Sequence, residues 1–298
     1  MEKIIVDKNL RIDVYLIEKL DLSRSKIQNL IKNKSILVND KEVKSSYVLK
    51  NGDIITVMDI EEEPMAVLPE NIPLDIVYED DDVIVVNKPN GMVVHPAAGN
   101  KNGTMANALM YHSKNLSTLN GDFRPGIVHR IDAYTTGLLM VAKNDKAHEI
   151  LSKQLEEKTT TRKYVALVWG VINNDTGTID APVGRDENDR KKMAVTSINS
   201  KNAITHFRVL KRFKRATLIE LQLETGRTHQ IRVHMNYIGY PVVNDPVYGR
   251  RKLIDDSGQC LHAFKLGFMH PKTKKYMEFE ADLPECFKNI LKIFEEEI

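Results

Sequence analysis

Cysteine is nearly missing from this chain of 298 residues: Cys260 and Cys286 are the only two. Two thiols cannot build a disulfide framework or a four-ligand zinc site, so they are expected to be structural and the chain to work in a reducing cytoplasm. Long apolar runs are missing as well. The longest are a handful of residues, against the roughly 20 that a membrane helix needs, and the opening MEKIIVDKNL mixes acids with lysines instead of forming an export leader. No glycine-rich phosphate loop of the P-loop or dinucleotide kind occurs, so no nucleotide cofactor is expected. His229, His234, His262 and His270 have no adjacent acid that completes a known metal spacing, and no metal is expected either. No strand-to-helix elbow presents a serine or cysteine nucleophile. Internal repeats and low-complexity tracts are absent too.

What is present is an ordinary apolar fraction in a chain long enough for two domains. The net charge of +2 is unevenly spread. Between Arg24 and Lys50 seven bases (Arg24, Lys26, Lys32, Lys34, Lys41, Lys44, Lys50) face two acids, a local charge of +5. Ile12, Leu16 and Leu20 fall at helical spacing, and Ser23 is placed to cap a second helix with Ile27, Leu30 and Ile31 inside. The segment Ile36 to Val43 has an Asn-Asp turn between β-formers and predicts a hairpin; Asn51 to Val57 predicts a further turn and strand. Any one lysine here is ordinarily just solvated, but the set forms a surface able to neutralise phosphates. LSRSKIQNLI followed by ILVNDKEVKSSYVLKNGDIITV, about Arg11 to Val57, resembles the RNA-binding domain named after small-subunit ribosomal protein S-four. That resemblance implies an RNA-binding module over residues 1–62, with Arg24, Lys26, Lys32, Lys34 and Lys44 as contacts.

Three acids in a row and three prolines between Glu61 and Ile76 predict a linker, taken as residues 63–73 with a boundary near residue 70. Beyond it, DIVYEDDDVIVVNKP reads as two strands around an acidic turn, and KYVALVWG, AITHFRVLKRF and ATLIELQLET as further strands. Clear helical patterns are Asp145 to Lys158, Thr228 to Gly239 and PECFKNILKIFEEE. Strand runs with occasional helices predict a mixed, mainly antiparallel α+β domain over residues 74–298.

The chemistry centres on HRIDAYTTGLLMVAKND, His129 to Asp145. One carboxylate, Asp132, follows a His-Arg pair and precedes a small-hydroxyl-glycine turn and the apolar run Leu138 to Ala142, which reads as a buried strand. A lone acid there is by default a turn-former or an ion-pair partner. Its company argues otherwise: Arg124, His129 and Arg130 lie just before it, and Arg227, His229, Arg232 and His234 crowd a second short stretch. Such charges are costly in a core unless paired or bound to an anion, and an Asp held by an Arg stays ionised and available as nucleophile or base.

KPNGMVVHPAAGN, RPGIVHRIDAYTTGLLMVAKND, TRKYVALVWG, ETGRTHQIRVHMNYIGYPVVNDPVYG and QCLHAFKLGFMHPKT appear in the order found in the RluA/RluD family of pseudouridine synthases, which this chain resembles over nearly its whole length. The resemblance implies an isomerase that converts uridine in RNA to pseudouridine, acting on ribosomal RNA or a large-subunit assembly intermediate as a cytoplasmic monomer without cofactor. Asp132 matches the catalytic aspartate, Tyr164 the residue that stacks on the target base, and Arg232 the aspartate's partner. Arg130 resembles the side chain that replaces the extruded base in the RNA stack. His129, Arg227 and His229 are expected to shape the pocket or hold phosphates. Ala133 and Tyr134 depart from the family's charged or polar pair after the aspartate, and Asn244 stands where glycine is more usual. A non-catalytic RNA-binding or ribosome-assembly factor is the alternative. A glycosidic hydrolase would need a second carboxylate, and none is recognised in these motifs.

Overall fold

The structure, a computed structural model, describes residues 2–297 apart from 21–23, 59–66, 97–99, 122–123, 188, 190–191 and 250, and all their side chains but those of residues 2, 25 and 26. The expected cap Ser23, the side chain of Lys26 and the first part of the expected linker lie outside the described residues. Contacts divide the chain into two units, Met1–Met65 and Ala66–Ile298.

The first unit runs β1 (Glu2–Ile5), α1 (Ile12–Leu20), α2 (Arg24–Lys32), β2 (Ile36–Val38) and β3 (Ile54–Val57). Ile12 and Leu16 recur one helical turn apart on α1 and are fully buried, and Ile27, Leu30 and Ile31 form the matching stripe of α2. Both stripes pack on Ile36, Val38, Ile55 and Val57, the inward positions of a three-stranded antiparallel sheet ordered β1-β3-β2. The expected hairpin is only half formed. Asn39 and Asp40 take the two left-handed conformations such a turn requires (φ 49° and 61°), but the returning arm makes one bridge, Val38 to Lys41, and no strand. β2 pairs with β3 instead, because the register Ile36 to Val57 and Val38 to Ile55 puts four apolar side chains into one core, which LysGluVal cannot match. β1 is a strand the sequence reading does not contain.

The second unit continues with β4 (Asp75–Glu79), β5 (Val83–Lys88), α3 (Met105–His112), β6 (Thr136–Ala142), α4 (Asp145–Glu156), β7 (Thr161–Trp169), β8 (Thr176–Asp180), β9 (Val183–Arg185), β10 (Met193–Val195), β11 (Ile204–Arg212), β12 (Ala216–Leu223), α5 (Gln230–Tyr237), β13 (Leu261–Met269), β14 (Tyr276–Glu280) and α6 (Glu285–Glu295). Eight strands follow the order β4-β5-β6-β13-β7-β12-β11-β8, with β14 branching from β13; β9 and β10 form a separate pair. Among the described pairings only β6 with β13 is parallel, so the domain is α+β with a mixed, mainly antiparallel sheet. α3 is not foreseen from the sequence. Val67 is buried, and the Asn107 amide of α3 donates to Leu68 O, so the described part of the expected linker from Val67 onward belongs to the second unit.

All seven residues of β6 are buried, as the continuous apolar run requires. At its start Gly137 has φ 109°, and a Cβ there would overlap the Ala263 carbonyl of β13. Glycine is therefore needed twice over, for its conformation and for the close approach. The loop carrying Asp132 enters the sheet at this tight junction. Both cysteine thiols are free, and burial raises the pKa of each.

Candidate active site

Asp132 sits on the loop before β6, at the edge of a cavity of about 590 Å³ walled by that loop, β7, the end of β12 and the start of α5. Its Oδ2 accepts from Nη1 of Arg232 at 2.9 Å. The two residues are a hundred positions apart in sequence, and α5 brings them together: buried Ile231 and Val233 fix the helix on the core, which turns Arg232 toward the loop at 4% exposure.

The arginine is held from behind by a second acid. Asp245, 1% exposed, accepts from Nε at 2.6 Å and from Nη2 at 2.8 Å, and its Oδ1 also takes the amides of Val247 and Tyr248. Burial works against both charges, but the pairing outweighs it: the Asp245 carboxyl is held below its usual pKa and Arg232 above its own. The Tyr248 ring lies 5.0 Å from the guanidinium carbon. The reading that the motifs contain no second acid is thus corrected, for Asp245 lies inside NDPVYG. It is buried, does not line the cavity and takes four hydrogen bonds, so it orients Arg232 and is not placed to activate water there.

Tyr164, on β7, is buried on the cavity wall, and its pKa is raised by burial, with Asp132 adding and Arg162 opposing. His229 occupies a left-handed conformation (φ 57°) ahead of α5; its Nδ1 meets the Tyr248 hydroxyl at 2.9 Å and its Nε2 lies 3.8 Å from Asp132. Burial lowers its pKa, against the pull of Asp132. His129 uses Nε2 to accept the Met140 amide, and burial, with Arg162 nearby, pushes its pKa down to about 3. A ring that accepts there and is neutral fits shaping the pocket and not holding phosphate. Arg130 is exposed, with Nη1 3.3 Å from His95 Nε2. Arg227 reaches the cavity and donates to Asn202 O.

Lys88, from the KPNG motif, has no role in the sequence reading. Its buried ammonium donates to Pro89 O, Met92 O and Ala133 O at 2.7–2.9 Å, tying the residue after Asp132 to the end of β5. Burial lowers its pKa to about 7, with Asp132 opposing. Only the carbonyl of residue 133 takes part in this contact, which alanine preserves. Tyr134 does not line the cavity; its ring lies over Gly258, where a Cβ would collide with it. Asn244 adopts φ 61° and uses its side chain to hold the following loop, donating to Asp255 and Gly258 O and accepting from Ile254 N, which glycine could not do.

In the first unit the basic surface is smaller than its charge count. Arg24 donates two hydrogen bonds to Asp13, which is fully buried and also accepts from Arg11 and Gln28. Lys34 pairs with Glu42 at 2.8 Å. Lys32 and Lys44 are exposed and have no ion-pair partner among the described residues. Elsewhere, Asp80, Asp82 and His270 bring donor atoms within 4.8 Å of one another, but Asp80 already accepts from Tyr78, from two amides and from His270.

This arrangement, an acid clamped by a buried arginine beside a buried tyrosine and preceded in the chain by a small two-helix module, fits an RNA-modifying enzyme of the isomerase class that the motifs resemble. Residues 82–237 match the family model described as RNA pseudouridylate synthase, and residues 10–55 that of the S4 domain. The chain belongs to the RNA pseudouridylate synthase family. It is 57% identical to the "Uncharacterized RNA pseudouridine synthase YlyB" of Bacillus subtilis (strain 168), over 95% of this chain and 94% of that one. It is 44% identical to the "Ribosomal large subunit pseudouridine synthase D" of Neisseria meningitidis serogroup B, over 95% of this chain and 78% of the relative. The solved human RNA Pseudouridylate Synthase Domain Containing 1 shares the fold, with a TM-score of 0.57 at 24% identity over 79% of this chain and 98% of that one. No helix among the described residues is long and apolar enough to cross a membrane.

Proposed function

We propose that this enzyme isomerises uridine in large-subunit ribosomal RNA, with Asp132 as the catalytic carboxylate, Arg232 its positioning partner and Tyr164 the aromatic wall against the flipped base. The observation that carries this reading is the chain Asp132–Arg232–Asp245, which at the cavity wall engages Oδ2 of Asp132 and leaves Oδ1 without a hydrogen bond among the described residues, 3.8 Å from His229 Nε2. Breaking the bond between uracil N1 and ribose C1′ gives the sugar oxocarbenium character, which an adjacent carboxylate stabilises. One acid suffices because nothing is hydrolysed. Asp245 is buried away from the cavity, Glu224 is paired with Lys158 and His206 and Glu156 is exposed, so none is placed as the second acid that a hydrolase needs, and the presence of acid, arginine and tyrosine together favours an enzyme over a non-catalytic assembly factor. Arg130, at the mouth, suits insertion into the RNA stack; Lys32 and Lys44 suit phosphate contacts in the S4 module. The names of the 44%-identical relatives support a large-subunit target. Cysteine usage suits the cytoplasm.

Asp132→Asn keeps the shape and removes the charge, so RNA affinity should persist while single-turnover formation of pseudouridine in large-subunit RNA disappears. A folded variant with undiminished turnover overturns the assignment.

A further inference from the structure

Arg162 is the one cavity-lining arginine that nothing above employs. It lies on β7 two residues before Tyr164, so both side chains leave the same face of the strand and enter the same cavity. It is 7% exposed, yet no described residue accepts a hydrogen bond from its guanidinium, and its buried Nε is unpartnered. The acids that line the same cavity are engaged elsewhere or exposed: Asp132 with Arg232, Glu224 with Lys158 and His206, and Glu156 at the surface. Gly226 lies against it. A Cβ there would come within 2.8 Å of Nη1, so the loop before α5 carries no side chain where the guanidinium stands. A buried cation without a counter-charge is costly, and such a cost is sustained where a bound group supplies the negative charge.

We infer that Arg162 is a further catalytic residue, donating hydrogen bonds to the carbonyl oxygens of the uracil as it becomes an anion. The inference rests on the reading proposed above. When N1–C1′ breaks, the bonding pair stays on the uracil and spreads over N1, O2 and O4, while the ribose carries the positive character that Asp132 faces. The rotated uracil then returns a pair through C5 to C1′, loses the C5 proton and gains one at N1, so the reaction closes with no oxidant or reductant. Asp132 thus serves the sugar and Arg162 the base. Depth separates this role from phosphate binding: the RNA backbone stays at the mouth, where exposed Arg130 and Lys158 stand, whereas Arg162 is enclosed beside the neutral rings of His129 and Tyr164. Fixed donors aimed at developing charge in such a site are worth about 10²–10³-fold in rate.

The test uses the full-length protein, Arg162→Met and Arg162→Lys, and a ribosomal RNA fragment carrying uridine or 5-fluorouridine at the target, whose fluorine stabilises the departing anion. Single-turnover loss of the original nucleoside is read at saturating RNA, beside RNA affinity at several salt concentrations and urea unfolding. Arg162→Met should lower the uridine rate about 100-fold or more with affinity and salt slope unchanged. The deficit should shrink several-fold with 5-fluorouridine, Arg162→Lys should recover part of the rate, and neither variant should lose stability. An unchanged rate overturns the inference, as does an equal deficit for both bases. Weaker, less salt-dependent binding with a normal saturating rate would mark a phosphate contact and overturns it too. Should Arg162→Met not fold, the same readings on Arg162→Lys decide. Failure of the wild-type protein to make pseudouridine would instead sink the proposed function.

Discussion

The two carboxylates on Arg232 should be unequal, and the inequality is measurable. Asp245→Asn removes the partner of two bonds at 2.6 and 2.8 Å at a site 1% exposed, and the amide nitrogen it introduces has no lone pair for the Arg232 Nε–H. Breaking a buried pair from one side costs about 3–5 kcal/mol. Asp132→Asn removes one bond at 2.9 Å from a side chain 17% exposed and leaves Arg232 paired with Asp245, so it should cost about 1 kcal/mol. For a slope of about 3 kcal/mol/M the urea midpoints should fall by roughly 1–2 M for Asp245→Asn and by about 0.3 M for Asp132→Asn. Trp169, the sole tryptophan, is buried against Phe294 in the second unit, so its fluorescence reports this transition. Both variants should lose turnover, one with its fold intact and the other with it weakened. Equal midpoints for the two variants would refute the idea that Arg232 is anchored from Asp245.

Gly137→Ala should lower stability by about 3 kcal/mol or more, from strain and overlap together, whereas Gly91→Ala, also at positive φ (77°) but with nothing within 4 Å, should cost about 1–2 kcal/mol in the same urea titration. Replacing Lys32 and Lys44 together by Ala should weaken RNA binding and reduce its log–log salt slope by about 1.5; Lys34→Ala, already paired with Glu42, should do less in a filter-binding series. Burial opposes ionisation of Asp13, but hydrogen bonds from Arg11, Gln28 and Arg24 win and bring its carboxyl from 3.8 to about 2. The unfolded chain therefore binds the extra proton first, and stability present above pH 4 is lost as pH falls toward 2. The size is on the order of 1 kcal/mol once the exposure of the two arginines is allowed for. Hydrogen exchange in α1 and α2 should quicken across that window in the wild type and not in Asp13→Asn.

Asp132, Tyr164 and Arg232 were visible because long motifs bring their neighbours with them, and β6 and β7 because seven or more apolar or alternating residues leave little choice of structure. α3 escaped because MANALMYH is apolar nearly all round and its capping box uses Asn107 where Glu or Gln is the usual signal. β1 escaped because charge next to a four-residue strand hides the pairing with β3 that makes it one. Asp245 reads locally as part of an Asn-Asp-Pro turn; only the fold sets it against an arginine thirteen residues earlier. Arg24 was counted with the basic patch because a sum along one segment does not register an acid on the preceding helix. Arg162 is legible in the sequence too, because two-residue periodicity puts it on the face of Tyr164, where an unpaired charge marks a site and not a core.

The parallel pairing of β6 with β13 also bears on how the protein is made. β13 sits between β6 and β7 in the sheet, yet it is synthesised some ninety residues after β7 ends. At about 5–20 residues per second, the strand that joins the two halves is missing for roughly 5–20 s, and each half is left with an unpaired inner edge and an apolar face. Through that interval the nascent chain has nothing to set between the strand that follows Asp132 and the strand bearing Tyr164. A chain that stops short of β13 would carry two sticky edges and an open pocket, which makes that strand as necessary to the product as the motif that carries the acid.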